Sequence, residues 1–242
     1  MSTDETIAET PAPPAPSEQG AGSRRFAGLV LRIALVVVLA AIVRSVLLQS
    51  YYVPSGSMEP TVEPADRVLV DKLDGSSGLE RGDIVVFDGT IAWGGPSTAT
   101  HEDTGLVGSI LTPARKALGI DFGEKDYLKR IIGLPGDHVV CCSASGHLRI
   151  NGTDVTEPYL PSGASASAVT FDVTVPVGKV WLLGDNRPES ADARAHLGDP
   201  GGGLVPLNDI IGRVTLRFWP IERWGTMERS TTLSTLRPGG RS

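Results

Sequence analysis

Apolar positions along this chain fall into one long block followed by many short ones. Between Phe26 and Leu48 the sequence reads FAGLVLRIALVVVLAAIVRSVLL, apolar on every face of a helix. At 1.5 Å per residue such a helix extends about 35 Å, enough to cross a hydrocarbon core of about 30 Å. Arg32 and Arg44 are its only charges, and each lies near an end, where a long side chain can snorkel to the interface. The pattern predicts a membrane-spanning helix over residues 24–49. Arg24, Arg25 and Arg32 weight its N-terminal flank positively, which puts residues 1–23 in the cytoplasm and the chain beyond about residue 50 outside it. A cleavable secretory signal peptide is the alternative, since Val38-Leu39-Ala40 resembles a cleavage site. Against it, the apolar run continues past Ala40 and the region before the run is long.

Downstream the period shortens. Runs rich in Val, Ile and Leu at 67–73, 83–87, 127–134, 138–142, 147–150, 169–175, 180–183 and 210–219 read as strands. Gly, Pro, Asn or Asp separate them, including an Asn151-Gly152 turn. One short helix is expected at 106–118, inside a loop-like stretch from 89 to 125. The fold class is mainly β: an antiparallel sheet domain over 50–225, anchored by one N-terminal transmembrane helix. Residues 1–23, with Pro11, Pro13, Pro14 and Pro16 and few large apolar side chains, read as a disordered tail, and 226–242 as a C-terminal tail.

Composition removes several functions. A formal charge of −6 argues against a nucleic-acid surface, which needs clustered Lys and Arg. The two cysteines, Cys141 and Cys142, are adjacent, so they make neither a disulfide scaffold nor zinc-ligand spacing. Neighbouring strand side chains point to opposite faces, so they read as two strand residues rather than a bonded pair. Gly201-Gly202-Gly203 is not a phosphate loop, because no Lys-Ser or Lys-Thr follows. No metal or other cofactor is implied.

The chemistry centres on Val53-Pro54-Ser55-Gly56-Ser57-Met58-Glu59-Pro60-Thr61. Gly56 permits close backbone approach to a substrate, and the prolines stiffen the loop. Of two hydroxyls two residues apart, one can attack while the other, with a backbone N–H, donates to the oxyanion that forms. A plain Ser/Pro/Gly turn outside a membrane would look the same. The base is sought among His101, His138, His147 and His196, which show no triad pattern, and Lys129, in Tyr127-Leu128-Lys129-Arg130-Ile131-Ile132-Gly133. A free lysine, with a pKa near about 10.4, is a poor base at neutral pH, and burial can lower that by up to about 3–5 units. Read alone, Lys129 also fits an exposed strand position.

Four segments in order resemble the conserved boxes of bacterial type I signal peptidases. They are Pro54–Thr61, then Gly82-Asp83-Ile84-Val85-Val86-Phe87, then Lys129-Arg130-Ile131-Ile132-Gly133-Leu134-Pro135-Gly136-Asp137, then Gly184-Asp185-Asn186-Arg187. The resemblance runs from the apolar block to about Trp219. It implies a coiled antiparallel β-sheet peptidase with Ser57 as nucleophile and neutral Lys129 as its base. It further implies an oxyanion hole of Ser55 and the Ser57 N–H, with Ser190 orienting the lysine and Asp192, paired with Arg194, supporting it. Pro188-Glu189 and Ala193 depart from a frequent form of the last box and leave Ser190 and Asp192 in register. Val53, Met58 and Leu128 are either walls of shallow apolar substrate pockets or ordinary core and membrane-contact residues.

The resemblance implies a membrane-bound serine endopeptidase that removes signal peptides from exported preproteins after small residues at −1 and −3. Its partners are then signal peptides, the lipid bilayer and, by proximity, the export machinery, with no nucleic acid. A single pass with the N-terminus in the cytoplasm and the catalytic domain outside follows. Repressor-type autoproteases share the dyad but are soluble and usually carry a DNA-binding domain. A specialised processing peptidase with one substrate and a catalytically silent anchored binding protein are the other readings.

Overall fold

The structure is a computed structural model that describes residues 28–39, 48–72, 78–94 and 126–236. Residues 28–39 form a helix with exposed large apolar side chains, in a unit (1–43) separate from the rest of the chain (44–242). Among the described residues no helix is long and apolar enough to cross a membrane. The expected span over 24–49 needs one correction: its last two residues, Leu48 and Gln49, begin a strand. Residues 24–27 and 40–47 lie outside the described residues, as do the tail over 1–23, the expected helix at 106–118 and His101.

The second unit is built from antiparallel strands. They are β1 (Leu48–Tyr52), β2 (Arg67–Asp71), β3 (Ile84–Asp88), β4 (Asp126–Gly133), β5 (His138–Cys141) and β6 (Leu148–Ile150), then β7 (Thr153–Val155), β8 (Phe171–Thr174), β9 (Lys179–Leu183), β10 (Val205–Pro206), β11 (Ile210–Trp219) and β12 (Gly225–Thr226). Eight form a sheet in the order β1-β2-β11-β3-β4-β9-β10, with β12 beside β11, and four form a second sheet in the order β7-β6-β5-β8.

The continuous apolar run of β3 follows from its place at the centre of the large sheet, where both faces are covered. Val85 and Phe87 enter one core, shared with Val139, Leu148 and Ile150 of the small sheet. Ile84 and Val86 enter a second core with Tyr51, Val53, Met58, Val68, Val70 and Leu128 on the opposite face. Asn151 (φ 52°) and Gly152 (φ 81°) make the turn that joins β6 to β7, the left-handed conformation that suits strand twist in a two-residue hairpin.

All eight expected strands are present, with ends shifted by a few residues. The short β7, β10 and β12 carry too few residues to show a period. Residues 226–236, set apart in the sequence as a tail, instead pack on the domain. Met227 N–H donates to Thr215 O at 2.9 Å, Arg81 Nη1 donates to Leu236 O at 2.9 Å, and Leu233 is fully buried. Cys141 and Cys142, expected as separate strand residues, are joined by a disulfide at the end of β5.

Candidate active site

Ser57 sits in the loop after β1 and Lys129 in the middle of β4, 72 residues on, with Lys129 Nζ 2.6 Å from Ser57 Oγ. Both are buried, at 8% and 3% exposure. Burial is the largest influence on Lys129 and lowers its pKa from 10.5 to about 8. Asp192 and Asp185 pull it up against that fall, and Arg194 opposes them. A hydroxyl held against an amine that releases its proton so readily can attack a carbonyl carbon and pass its proton to the nitrogen.

Ser55 Oγ lies 3.5 Å from Ser57 Oγ. The Ser57 N–H has no acceptor among the described residues. Two donors thus stand beside the nucleophile. A small pocket of about 40 Å³ opens there, lined by Val53, Pro54, Ser55, Ser57, Met58 and residues 126–129. Val53, Met58 and Leu128 are buried core residues that also line this pocket. β9 pairs with β4 only from Arg130 onward, so residues 127–129 keep one backbone edge outside any strand pairing among the described residues.

The last box wraps behind the pair. Asp192 accepts from Gly184 N–H at 3.0 Å, from Arg194 Nε at 2.8 Å and from Arg194 Nη2 at 2.7 Å. Burial would raise the Asp192 pKa, but the bonds and charge of Arg194 outweigh it and hold the carboxyl below its ordinary value. Ser190 Oγ is buried beside Asp192, whose carboxyl it helps to hold down, but it makes no well-formed hydrogen bond among the described residues, and none joins it to Lys129. It lies close to Gly184, where an added Cβ would come within 2.1 Å of it.

Other residues of the motifs, and two outside them, brace the site. Arg130 grips Asp185 through two bonds of 2.8 and 2.6 Å, and Thr61 Oγ1 donates to Asp185 at 2.6 Å. The Tyr159 ring covers the Arg130 guanidinium at 4.1 Å, and Tyr159 O–H donates to Glu157, which pairs with Arg187. Nothing in the sequence marked Glu157 and Tyr159, because they lie outside the four boxes. The described histidines bond elsewhere: His138 to Asp172, His147 to Ser145 and His196 to Asp199. No group of residues able to hold a metal ion occurs among the described residues.

An antiparallel β domain presenting a buried serine–lysine pair at a strand edge has the makings of an acyl-transfer enzyme. The family model for signal peptidases, peptidase S26, matches residues 26–219, and the chain belongs to that family. It is 36% identical over 227 residues to signal peptidase I of Mycobacterium tuberculosis, covering 84% of this chain and 75% of the relative. Against signal peptidase I of Leptolyngbya laminosa it is 34% identical over 218 residues, covering 90% and 91%. Signal peptidase I P of Bacillus subtilis subsp. natto is 33% identical over 197 residues, covering 78% and 86%.

Proposed function

We propose that the protein is a membrane-bound serine endopeptidase that removes signal peptides from exported preproteins. The observation that carries this is the 2.6 Å contact between a buried Lys129 amine and Ser57 Oγ, in a chain of the signal peptidase family. Ser57 Oγ attacks the scissile carbonyl carbon and its proton passes to neutral Lys129. The Ser57 N–H and Ser55 hydroxyl stabilise the oxyanion. Collapse expels the new N-terminus of the mature protein, which takes the proton from Lys129 and leaves an acyl-enzyme. Water, deprotonated by Lys129, then releases the signal peptide and restores Ser57.

Asp192, fixed by Arg194, and Ser190 are the supporting groups, holding the loop that faces Lys129. The small pocket between Val53, Met58 and Leu128 suits Ala or Gly at −1 and small or aliphatic residues at −3. The free edge of residues 127–129 suits an extended substrate, which adds to a sheet through backbone bonds. The apolar block from Phe26 to Leu48 supports a single membrane pass with the catalytic unit outside the cytoplasm.

Incubation of the detergent-solubilised full chain with a labelled preprotein, with the cut mapped by mass spectrometry, tests the activity. A single cut after Ala or Gly is expected. Efficient cleavage after Phe or Lys at −1 would remove the signal-peptidase reading. Protease added outside spheroplasts should reach the large domain and leave the first 25 residues protected; the reverse pattern would invert the topology.

A further inference from the structure

Two successive carbonyls of the nucleophile loop are held from one residue, 130 positions away in sequence from the farther of them. Asn186 Nδ2 donates to Gly56 O at 3.0 Å, and the Asn186 backbone N–H donates to Ser57 O at 3.1 Å. Gly56 O also accepts from Glu59 N–H at 3.1 Å. Asn186 itself stands on a braced turn. Its neighbours Asp185 and Arg187 are both buried in ion pairs, and its own carbonyl accepts from Glu189 N–H at 3.0 Å.

The Gly56–Ser57 peptide is trans, and in a planar trans peptide the carbonyl and the following N–H point in opposite directions. A bond that pins Gly56 O toward Asn186 therefore aims the Ser57 N–H away from Asn186. That N–H has no acceptor among the described residues, so it is available to the oxyanion. The second bond, to Ser57 O, fixes the next peptide plane and leaves the loop no easy rotation between the two.

We propose that Asn186 is a positioning residue for the oxyanion hole: its amide sets the orientation of the Gly56–Ser57 peptide and so aims the Ser57 N–H at the developing charge. This rests on the serine–lysine peptidase reading above. Asn186 touches neither the substrate carbonyl nor Lys129; it acts through the peptide plane. The requirement is for a donor, since a carboxylate of the same shape would face Gly56 O with an acceptor.

Asn186→Ala and the isosteric Asn186→Asp, in the full-length detergent-solubilised protein, test it on a preprotein that the wild type cleaves. In both variants kcat should fall roughly 10–100-fold with KM little changed, the pattern of an interaction made in the transition state. The pH midpoint of kcat/KM should stay at the wild-type value, because Lys129 keeps its surroundings. A peptide boronate, whose tetrahedral adduct puts an oxygen in the oxyanion position, should bind more weakly by a similar factor. A matched peptide with a methylene in place of the scissile carbonyl should bind as it does to the wild type.

Unchanged kcat would overturn the proposal. A shifted pH midpoint would overturn it too, assigning the effect to Lys129 instead. Equal weakening of both ligands, or failure of both variants to fold, would make Asn186 a residue of the fold and equally end it. A wild type that cleaves no preprotein is a distinct result, and it would remove the peptidase reading itself.

Discussion

On the four-stranded sheet the ion pairs stand in water: His138–Asp172 and Arg149–Asp154 have side chains at least 40% exposed. Beside Ser57 and Lys129, the pairs Arg130–Asp185, Arg187–Glu157 and Arg194–Asp192 are at most 7% exposed. Desolvating an ion costs several kcal/mol, and well-packed apolar residues often do as well or better for stability. A domain that needed only to fold would have little use for three such pairs around one loop. Their common effect is to hold residues 184–194 in one place, and Asn186 and Asp192 in that segment face the nucleophile loop and the lysine. The charges of the small sheet hold nothing that moves a proton.

The largest expected effect separates the two regions by chemistry. Ser57→Ala and Lys129→Ala should each lower preprotein turnover by at least about 10³-fold. Lys129→Arg should fail as well, because a guanidinium stays protonated. In the wild type, activity should rise with pH and reach half its maximum near pH 8, where Lys129 loses its proton, far below the ordinary 10.5. Alanine at His101, His138, His147 or His196 should leave most of the activity. A single histidine variant that is folded and inert would replace the mechanism with a serine–histidine one.

Two glycines sharpen the contrast next. A Cβ at Gly184 would come within 2.1 Å of Ser190 Oγ and 2.5 Å of Ser57 O, so Gly184→Ala must displace the nucleophile loop. Turnover should fall about 10²-fold, the scale of a misplacement near 1 Å. A Cβ at Gly152 meets nothing within 4 Å, but its φ of +81° strains an L-residue. Gly152→Ala should cost about 1–2 kcal/mol in urea unfolding and leave kcat alone. Loss of turnover from Gly152→Ala would show that the small sheet is coupled to the site.

For stability, the buried pair comes first. Arg130→Met leaves Asp185 buried and without its ion-pair partner, and should cost about 3–5 kcal/mol in urea unfolding. Adding Asp185→Leu should return much of that, which would show that the pair serves position rather than net stability. Lys129→Met is expected to move the other way. The native state binds this proton only up to about pH 8, the unfolded chain up to about 10.5, so protonated Lys129 opposes folding at neutral pH. The inactive Met variant should be more stable at pH 7 by up to roughly 3 kcal/mol. That gain should shrink as pH rises from about 8 to 10.5, as the wild type is relieved of its buried proton.

Strands announced themselves where one face or both had to be apolar, as in β3 and β11, and the Asn151-Gly152 turn had the one chemistry its φ values require. β1 was hidden because Leu48 reads as the end of the preceding apolar block, and the four residues left, Gln49-Ser50-Tyr51-Tyr52, are too few to show a period. The packed segment at 226–236 was hidden for the opposite reason: Leu233 alone is fully buried there, and single burial has no pattern. Ser57 and Lys129 were legible only as members of motifs. Their contact spans 72 residues, and no local spacing encodes it. The role of Asn186 has no signal in the sequence, since its partners are backbone carbonyls, which carry no residue identity to read.

The smallest expected effect is the one that tests whether exposure decides these outcomes. Hydrogen bonds, from Ser143 first and then Arg149 and Ser145, hold the Asp154 carboxyl below its ordinary pKa. A lowered carboxylate pKa means stability present above the unfolded value and lost as pH falls through the folded one. Asp154 is open to solvent, however, and salt and water screen such a pair. Arg149→Ala should therefore leave the melting temperature unchanged within error at pH 7, in low and high salt alike. Asp137 is the contrasting carboxylate. Burial would raise its pKa, but Arg81, Asn151 and the Leu134 N–H together bring it below the ordinary value. Its pair with Arg81 is nearly solvent-free, so Asp137→Asn should lower the melting temperature at pH 7 and lose that deficit in acid, once the wild-type carboxyl is protonated too. If Arg149→Ala cost as much as Asp137→Asn, burial would not be what separates the two regions. The positioning role given to the charges around Ser57 would then lose its main support.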